Sequence, residues 1–477
     1  MMSVFRWVDQ HYVKPVPRAA LSEAALAGLF EAAREPLPPG LRADLAQAKD
    51  DSQFQYLMAT ARERLGDVEA LRGQQAVMAS LRSLPRALDV YCGIPPPNDR
   101  TADDNTGEMH GVGIEFESLP EALQPQTRVN DPFDRPRVSG ESGLARGPAR
   151  IVTVFPGSPA QRAGIRPGDI LTHLDDHPLE TPEGARLFPQ LSSEAGYGQE
   201  ALKLTLQRPG QEEPLERRLY PTKFVPESVY GMRRRSDNSW DFMLDRPNGI
   251  AYLRLGFLGH KADEEMADAI SALRALGIRG LIFDLRGNPG GFVDPAKAIS
   301  GMFVKSGLVA TMTDRAEGGK SEFRIDNGSG ALEGIPTVAL IDEETRGGGE
   351  MIAAVLQDHK VARIAGRRSH GKGSVQRTPT IPELGVEFKL TVGSFTRPSG
   401  RNLNRFPDSK SSDDWGILPD PGLEFPVSPE LAKQIKGWMQ QQVLRPGDNR
   451  EALPLDDPEN DPAREHARQL LLKKLKS

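Results

Sequence analysis

The chain has 477 residues, enough for about three domains. Its net charge is −6 with both signs mixed along the sequence, which excludes the basic footprint of a nucleic-acid binder. The single cysteine, Cys92, excludes an internal disulfide or a cysteine-rich metal site and reads as an inert buried thiol.

No run of about 18 apolar residues occurs, so no membrane span is expected. The opening MMSVFRWVDQHYV lacks a continuous apolar stretch and a small-residue cleavage site, so it does not read as a secretory signal. Two expectations follow: a cytoplasmic protein, or a chain that starts after an omitted signal.

Residues 1–90 read as helices. Leu21, Ala24, Ala25, Leu26, Leu29 and Phe30 make an apolar stripe at helical spacing. Helical patterns resume at Phe54–Leu71 and Ala76–Leu84, and GIPPPND (93–99) is a linker by composition. GVGIEFE (111–117) signals a strand, and residues 118–149 read as an irregular insertion. RIVTVF (150–155), ILTHL (170–174) and ALKLTL (201–206) alternate as strands. TPEGARLFPQL (181–191) begins with a Thr N-cap followed by Pro. From GIAYLRLG (249–256) onward, strand and helix alternate to about residue 395, which predicts an α/β core. Residues 428–477 carry two more helix candidates, and the tail LLLKKLKS reads as a solvated terminal helix, with an amphipathic membrane-surface helix as the alternative.

One stretch raises a chemical question. IDEETRGGGEMIAA (341–354) runs from a buried-looking strand through three glycines into a helix start. Main-chain N–H groups at such a place can hold negative charge. It is not a phosphate loop, since no Gly-Lys-Ser/Thr follows. Eight scattered histidines without HExxH spacing leave no expected metal or other cofactor.

The middle of the chain resembles a PDZ domain of the kind found in bacterial proteases. The resemblance rests on Gly111-Val112-Gly113-Ile114 and GSPAQRAGIRPGDILTHLDD (157–176). It implies that the 111–114 loop binds a peptide's terminal carboxylate while the peptide adds as a strand to the sheet edge.

The rest resembles the carboxyl-terminal processing (tail-specific) serine proteases. Matching stretches appear in order: HYVKPVPRAALSEAALAGLF (11–30), GIAYLRLGFL (249–258), GLIFDLRGNPGGFVDPA (280–296), SHGKGSVQ (369–376), FTRPSGRNL (395–403) and WGILPD (415–420). The implied fold class is mixed α and β. Residues 1–100 would form an N-terminal helical region and 101–223 a PDZ-like domain with an insertion near 118–149. Residues 224–427 would form the protease core, similar to a crotonase/ClpP-like spiral, and 428–477 a helical tail.

The resemblance also implies a serine–lysine dyad, in which a neutral lysine accepts the serine proton. Lys372 matches the lysine, and Gln376 matches the glutamine that orients it. Strand spacing places Lys372, Ser374 and Gln376 on one face. The implied oxyanion donors are the N–H groups of Gly290 and Gly291 in the Asn-Pro-Gly-Gly turn, with Gly348 after the nucleophile. Asp284 and Arg286 read as builders of that loop.

The nucleophile itself is missing. Counting back the family's 25 residues from Lys372 reaches Gly347, and the second serine position is Gly349. Thr345, Ser374 and Ser369 are the possible replacements, and an acid–base pair of His370 and Glu350 acting on water is a further one. Two functions therefore stand side by side. One is a serine-type endopeptidase that recognises C-termini of unfolded proteins. The other is an inactive relative that binds peptides, with Arg346 favouring an acidic terminus. Family resemblance inclines the location to the periplasm or another space outside the cytoplasm.

Overall fold

The computed structural model describes residues 1–94, 109–118, 148–155, 157–191, 201–235, 239–315, 319–381, 385–406, 408–444 and 454–476. Most of the expected insertion (119–147) and of the 93–99 linker lies outside the described residues. The chain divides into two units. One contains residues 1–95, 310–323 and 372–415; the other contains 96–309, 324–371 and 416–477. Both α and β structure are present, as the sequence predicts.

The first unit starts with five helices: α1 (Met2–His11), α2 (Arg18–Ala32), α3 (Pro39–Gln47), α4 (Asp51–Arg64) and α5 (Gln75–Ser83). The predicted stripe on α2 is buried throughout. Helix α4 starts where Asp50 Oδ1 accepts the Gln53 N–H at 2.9 Å, leaving one fewer open donor at the helix end. It ends at Arg64, short of the expected Leu71, with a separate 3₁₀ turn over Glu69–Leu71. Strand Leu390–Thr396 pairs antiparallel with Thr311–Asp314 and with Ser374–Arg377. Val4, Phe5, Val8, Leu21 and Leu81 share one core with Phe388, Leu390 and Val392.

In the second unit, strands Ile114–Ser118, Ala149–Val154, Ile170–Leu174, Leu202–Gln207 and Leu215–Leu219 form an antiparallel sheet in that order. Leu202, Leu204 and Leu206 are buried and their neighbours less so, the period-two pattern of a half-buried strand. Short helices α6 (Pro159–Arg162) and α7 (Pro182–Leu187) accompany it. Thr181 caps α7 by accepting the Gly184 N–H at 3.1 Å.

The α/β core of this unit is a parallel sheet of Ile250–Leu255, Gly280–Asp284, Thr337–Ile341 and Arg363–Gly366. Gly280–Asp284 and Thr337–Ile341 are buried at every position, as strands covered on both faces must be. Helices α8 (Ala262–Ala275), α9 (Val293–Ser300), α10 (Gly348–Asp358) and α11 (Pro429–Leu444) follow in order.

The tail departs from expectation. Its helix α12 (Pro462–Lys476) is neither a solvated nor a membrane-surface helix. Ala463, Ala467 and Leu471 lie at four-residue spacing, and Ala467 and Leu471 enter one core with Ile250, Tyr252, Ile282, Val338 and Leu340. The basic end (Lys473, Lys474, Lys476) disguised this face in the sequence. Leu471 is 2% exposed, so Leu471→Ala should cost about 2–5 kcal/mol in urea unfolding. A cost below about 0.5 kcal/mol, the level of a surface change, would show that α12 is not part of the core. Among the described residues no helix is long and apolar enough to cross a membrane.

Candidate active site

The glycine loop follows strand Thr337–Ile341. Asp342 Oδ1 accepts the N–H groups of Glu344 (3.1 Å), Thr345 (3.0 Å) and Gly287 (2.9 Å), which ties the loop to the Asn-Pro-Gly-Gly turn. Burial pushes the Asp342 carboxyl up, and the Gly287 N–H pulls the other way without cancelling the effect. Thr345 is fully buried, and its hydroxyl donates to Leu285 O at 2.9 Å.

Gly347 is the N-cap of α10, with φ 51° and ψ −116°. That conformation favours glycine, because an L side chain there is strained. The strain is conformational rather than steric, since an added Cβ would find nothing nearer than Gly290 Cα at 3.8 Å. Gly349 is small for a different reason: its Cβ would sit 3.1 Å from Asn288 Oδ1. Asn288 is itself fully buried and shapes the turn. It donates from Nδ2 to Leu255 O (2.8 Å) and accepts the Gly290 N–H (2.8 Å). The Gly290 N–H is thus already engaged. The N–H groups of Gly291 and Gly348 have no hydrogen-bond partner among the described residues.

Glu350, fully buried in the first turn of α10, holds three groups together. Its Oε1 accepts from Ser369 Oγ (2.5 Å) and the Gly371 N–H (2.6 Å), and its Oε2 accepts the Gly347 N–H (3.1 Å). Ser369 Oγ in turn accepts the Ile417 N–H at 2.6 Å. The hydroxyl proton of Ser369 is therefore committed to Glu350. In this arrangement Glu350 organises the loop. His370 anchors it through a main-chain bond from its N–H to Thr345 O at 3.0 Å.

Lys372, Ser374 and Gln376 belong to the other unit. The expected common strand face is interrupted: the strand begins at Ser374, so Lys372 precedes it, and the pairing shifts register between Val375 and Gln376. Gly373, between Lys372 and the strand, lies too close to the Leu403–Asn404 backbone for any side chain. Ser374 and Gln376 still meet, with Gln376 Nε2 donating to Ser374 Oγ at 2.7 Å. Lys372 Nζ lies 5.5 Å from the centre of the Tyr91 ring. The Tyr91 N–H is held at 2.9 Å by buried Asp89, which also accepts from Tyr12 and Thr391. Sequence reading missed Asp89, Tyr91 and Thr391, because nothing local in DVYC or KLTV marks a contact some 300 residues apart.

In the antiparallel sheet, Gly111 ends a short strand paired with Thr222–Phe224. Buried Val112 gives its N–H to Leu191 O (2.9 Å), and its carbonyl accepts the Ala160 N–H (2.9 Å). Gly113, at φ 77°, packs against Ser158 and Phe224. Ile114 opens the edge strand, whose one sheet neighbour among the described residues is Ala149–Val154.

The description "peptidase family S41" matches residues 249–420, and "PDZ domain" matches 150–187. The chain therefore carries a PDZ domain (150–187) and an S41 peptidase domain (249–420). Similar proteins include a carboxy-terminal-processing protease of Bartonella bacilliformis, 27% identical over 70% of this chain and 65% of that protein. Another is the carboxy-terminal processing protease CtpA of Bacillus subtilis, 26% identical over 59% of this chain and 54% of that protein. The matches thus span less than two thirds of these relatives' length. A solved structure of a putative S41 protease from Bacteroides fragilis is 13% identical at TM-score 0.49, covering 98% of this chain and 97% of that one. The S41 match ends before α12 begins.

Proposed function

We propose that this chain binds the C-termini of unfolded polypeptides and lacks the hydrolytic step at the family's nucleophile position. The observation that carries this reading is Gly347, which caps α10 without a side-chain oxygen. Two replacement hydroxyls, those of Thr345 and Ser369, are buried and spent on Leu285 O and Glu350. The edge strand starting at Ile114 gives an incoming peptide main-chain partners, and in the loop before it the Gly113 N–H, unlike that of Val112, is not spent on another main-chain group among the described residues. Arg346, whose Nε is buried without a partner among the described residues, adds a preference for acidic termini.

The test is binding of an unstructured peptide with a free C-terminus against its amidated form, with mass spectrometry for cleavage. Binding that needs the free carboxylate, with no cleavage, is the expected result. A second reading, a serine-type endopeptidase, is favoured by the Gln376–Ser374 bond, which fixes a buried hydroxyl two residues after Lys372. Cleavage by the wild type that is lost in both Lys372→Ala and Ser374→Ala would establish it and overturn the first.

A further inference from the structure

The Asn288–Gly291 turn is braced from a part of the chain that the family match does not include. Arg286, immediately before the turn, is buried. Its guanidinium bonds Asp284 through Nε (3.0 Å) and Nη2 (2.6 Å). The same fork reaches Asp461 with both terminal nitrogens, at 2.9 and 2.8 Å. Asp461 is fully buried and directly precedes α12, where its Oδ1 also accepts the Arg464 N–H at 3.2 Å. A second ion pair, Arg468 to Asp245 at 2.8 Å, holds the next turn of α12.

A planar guanidinium bonded on both edges cannot rotate, so the main chain that carries it is fixed in direction. The turn that follows is fixed at its other end by Leu258, whose N–H donates to Gly290 O at 2.9 Å and whose carbonyl accepts the Phe292 N–H at 3.0 Å. The exposed Gly291 N–H is held between these two anchors. We propose that Asp461 is a positioning residue for this turn, acting through Arg286 to aim the Gly291 N–H at a peptide carbonyl. The carbonyl part rests on the peptide-binding reading above; the mechanical part does not.

Asp461→Asn in the full chain separates the two. Asparagine keeps the size and the capping oxygen for the Arg464 N–H but cannot accept both guanidinium bonds. Amide hydrogen exchange at 287–291 should speed up about tenfold, while α12 stays within about twofold of wild type. Affinity for the free-C-terminus peptide should fall about fivefold. Unchanged exchange at 287–291, or turn and helix loosening by one common factor, would overturn the proposal. If Asp461→Asn does not fold, Arg286→Lys keeps a cation between the two aspartates but loses the fork, and the same comparison applies. If the wild type binds no peptide, the functional reading fails, and the exchange result still decides the role of Asp461.

Discussion

Gly347→Ser should give this protein hydrolytic activity at least about a thousandfold above the wild type, measured on an unfolded substrate with a free C-terminus. The space exists, because the nearest atom to an added Cβ is 3.8 Å away. The surroundings are prepared as well: Glu350 already accepts the Gly347 N–H, and the Gly348 and Gly291 N–H groups have no partner among the described residues. The cost is conformational, since serine at φ 51° carries roughly 1–3 kcal/mol of backbone strain. The variant should therefore unfold at lower urea while gaining activity. A folded Gly347→Ser protein that binds peptide and cleaves nothing would show that more than the nucleophile is missing. Gly349→Ser should not substitute for it, because its Cβ presses on Asn288, which holds the turn.

Asp284→Ala should destabilise the protein by about 3–5 kcal/mol, read from chemical unfolding. The fully buried Asp284 carboxylate accepts the Tyr252 hydroxyl (2.8 Å), the Arg286 N–H (2.9 Å) and the Arg286 guanidinium. Its loss leaves a buried cation with one carboxylate partner and a buried hydroxyl with none. A cost under about 1 kcal/mol, the range of a solvated ion pair, would contradict the burial. The same network sets a pH response. Burial raises the Asp461 carboxyl, but Arg286 beside it outweighs burial and leaves it below the usual carboxylate range. A depressed folded-state value contributes stability that is complete above the unfolded value, about 3.9, and is lost as pH falls through the folded one. Stability should therefore decline below about pH 4, and Asp461→Asn should lack that part of the decline.

The strands were legible because their burial follows local pattern: LIFD and TVALI are apolar runs and are buried at every position. The glycine loop was legible as a helix start, and its missing hydroxyl could be read directly. What each glycine does there could not be read, since Gly347 answers to a dihedral angle and Gly349 to the side chain of Asn288. The lysine segment looked like a regular strand because alternation does not reveal that Gly373 lies against a distant backbone. Asp461 carried no signal at all: DPAREHARQL reads as an ordinary capped helix, and only the fold puts its carboxylate against Arg286.

The first unit has a consequence for how the chain is made. Tyr12 and Thr391 both bond to Asp89, and the Val13 N–H pairs with Thr391 O at 2.9 Å. These partners leave the ribosome far apart in time. The helices emerge first, but the strands that complete the core of Val4, Phe5, Val8 and Leu21 come after residue 371. Until then Val4, Phe5, Val8 and Leu21 lack part of their core, which leaves apolar surface on the nascent chain open to aggregation.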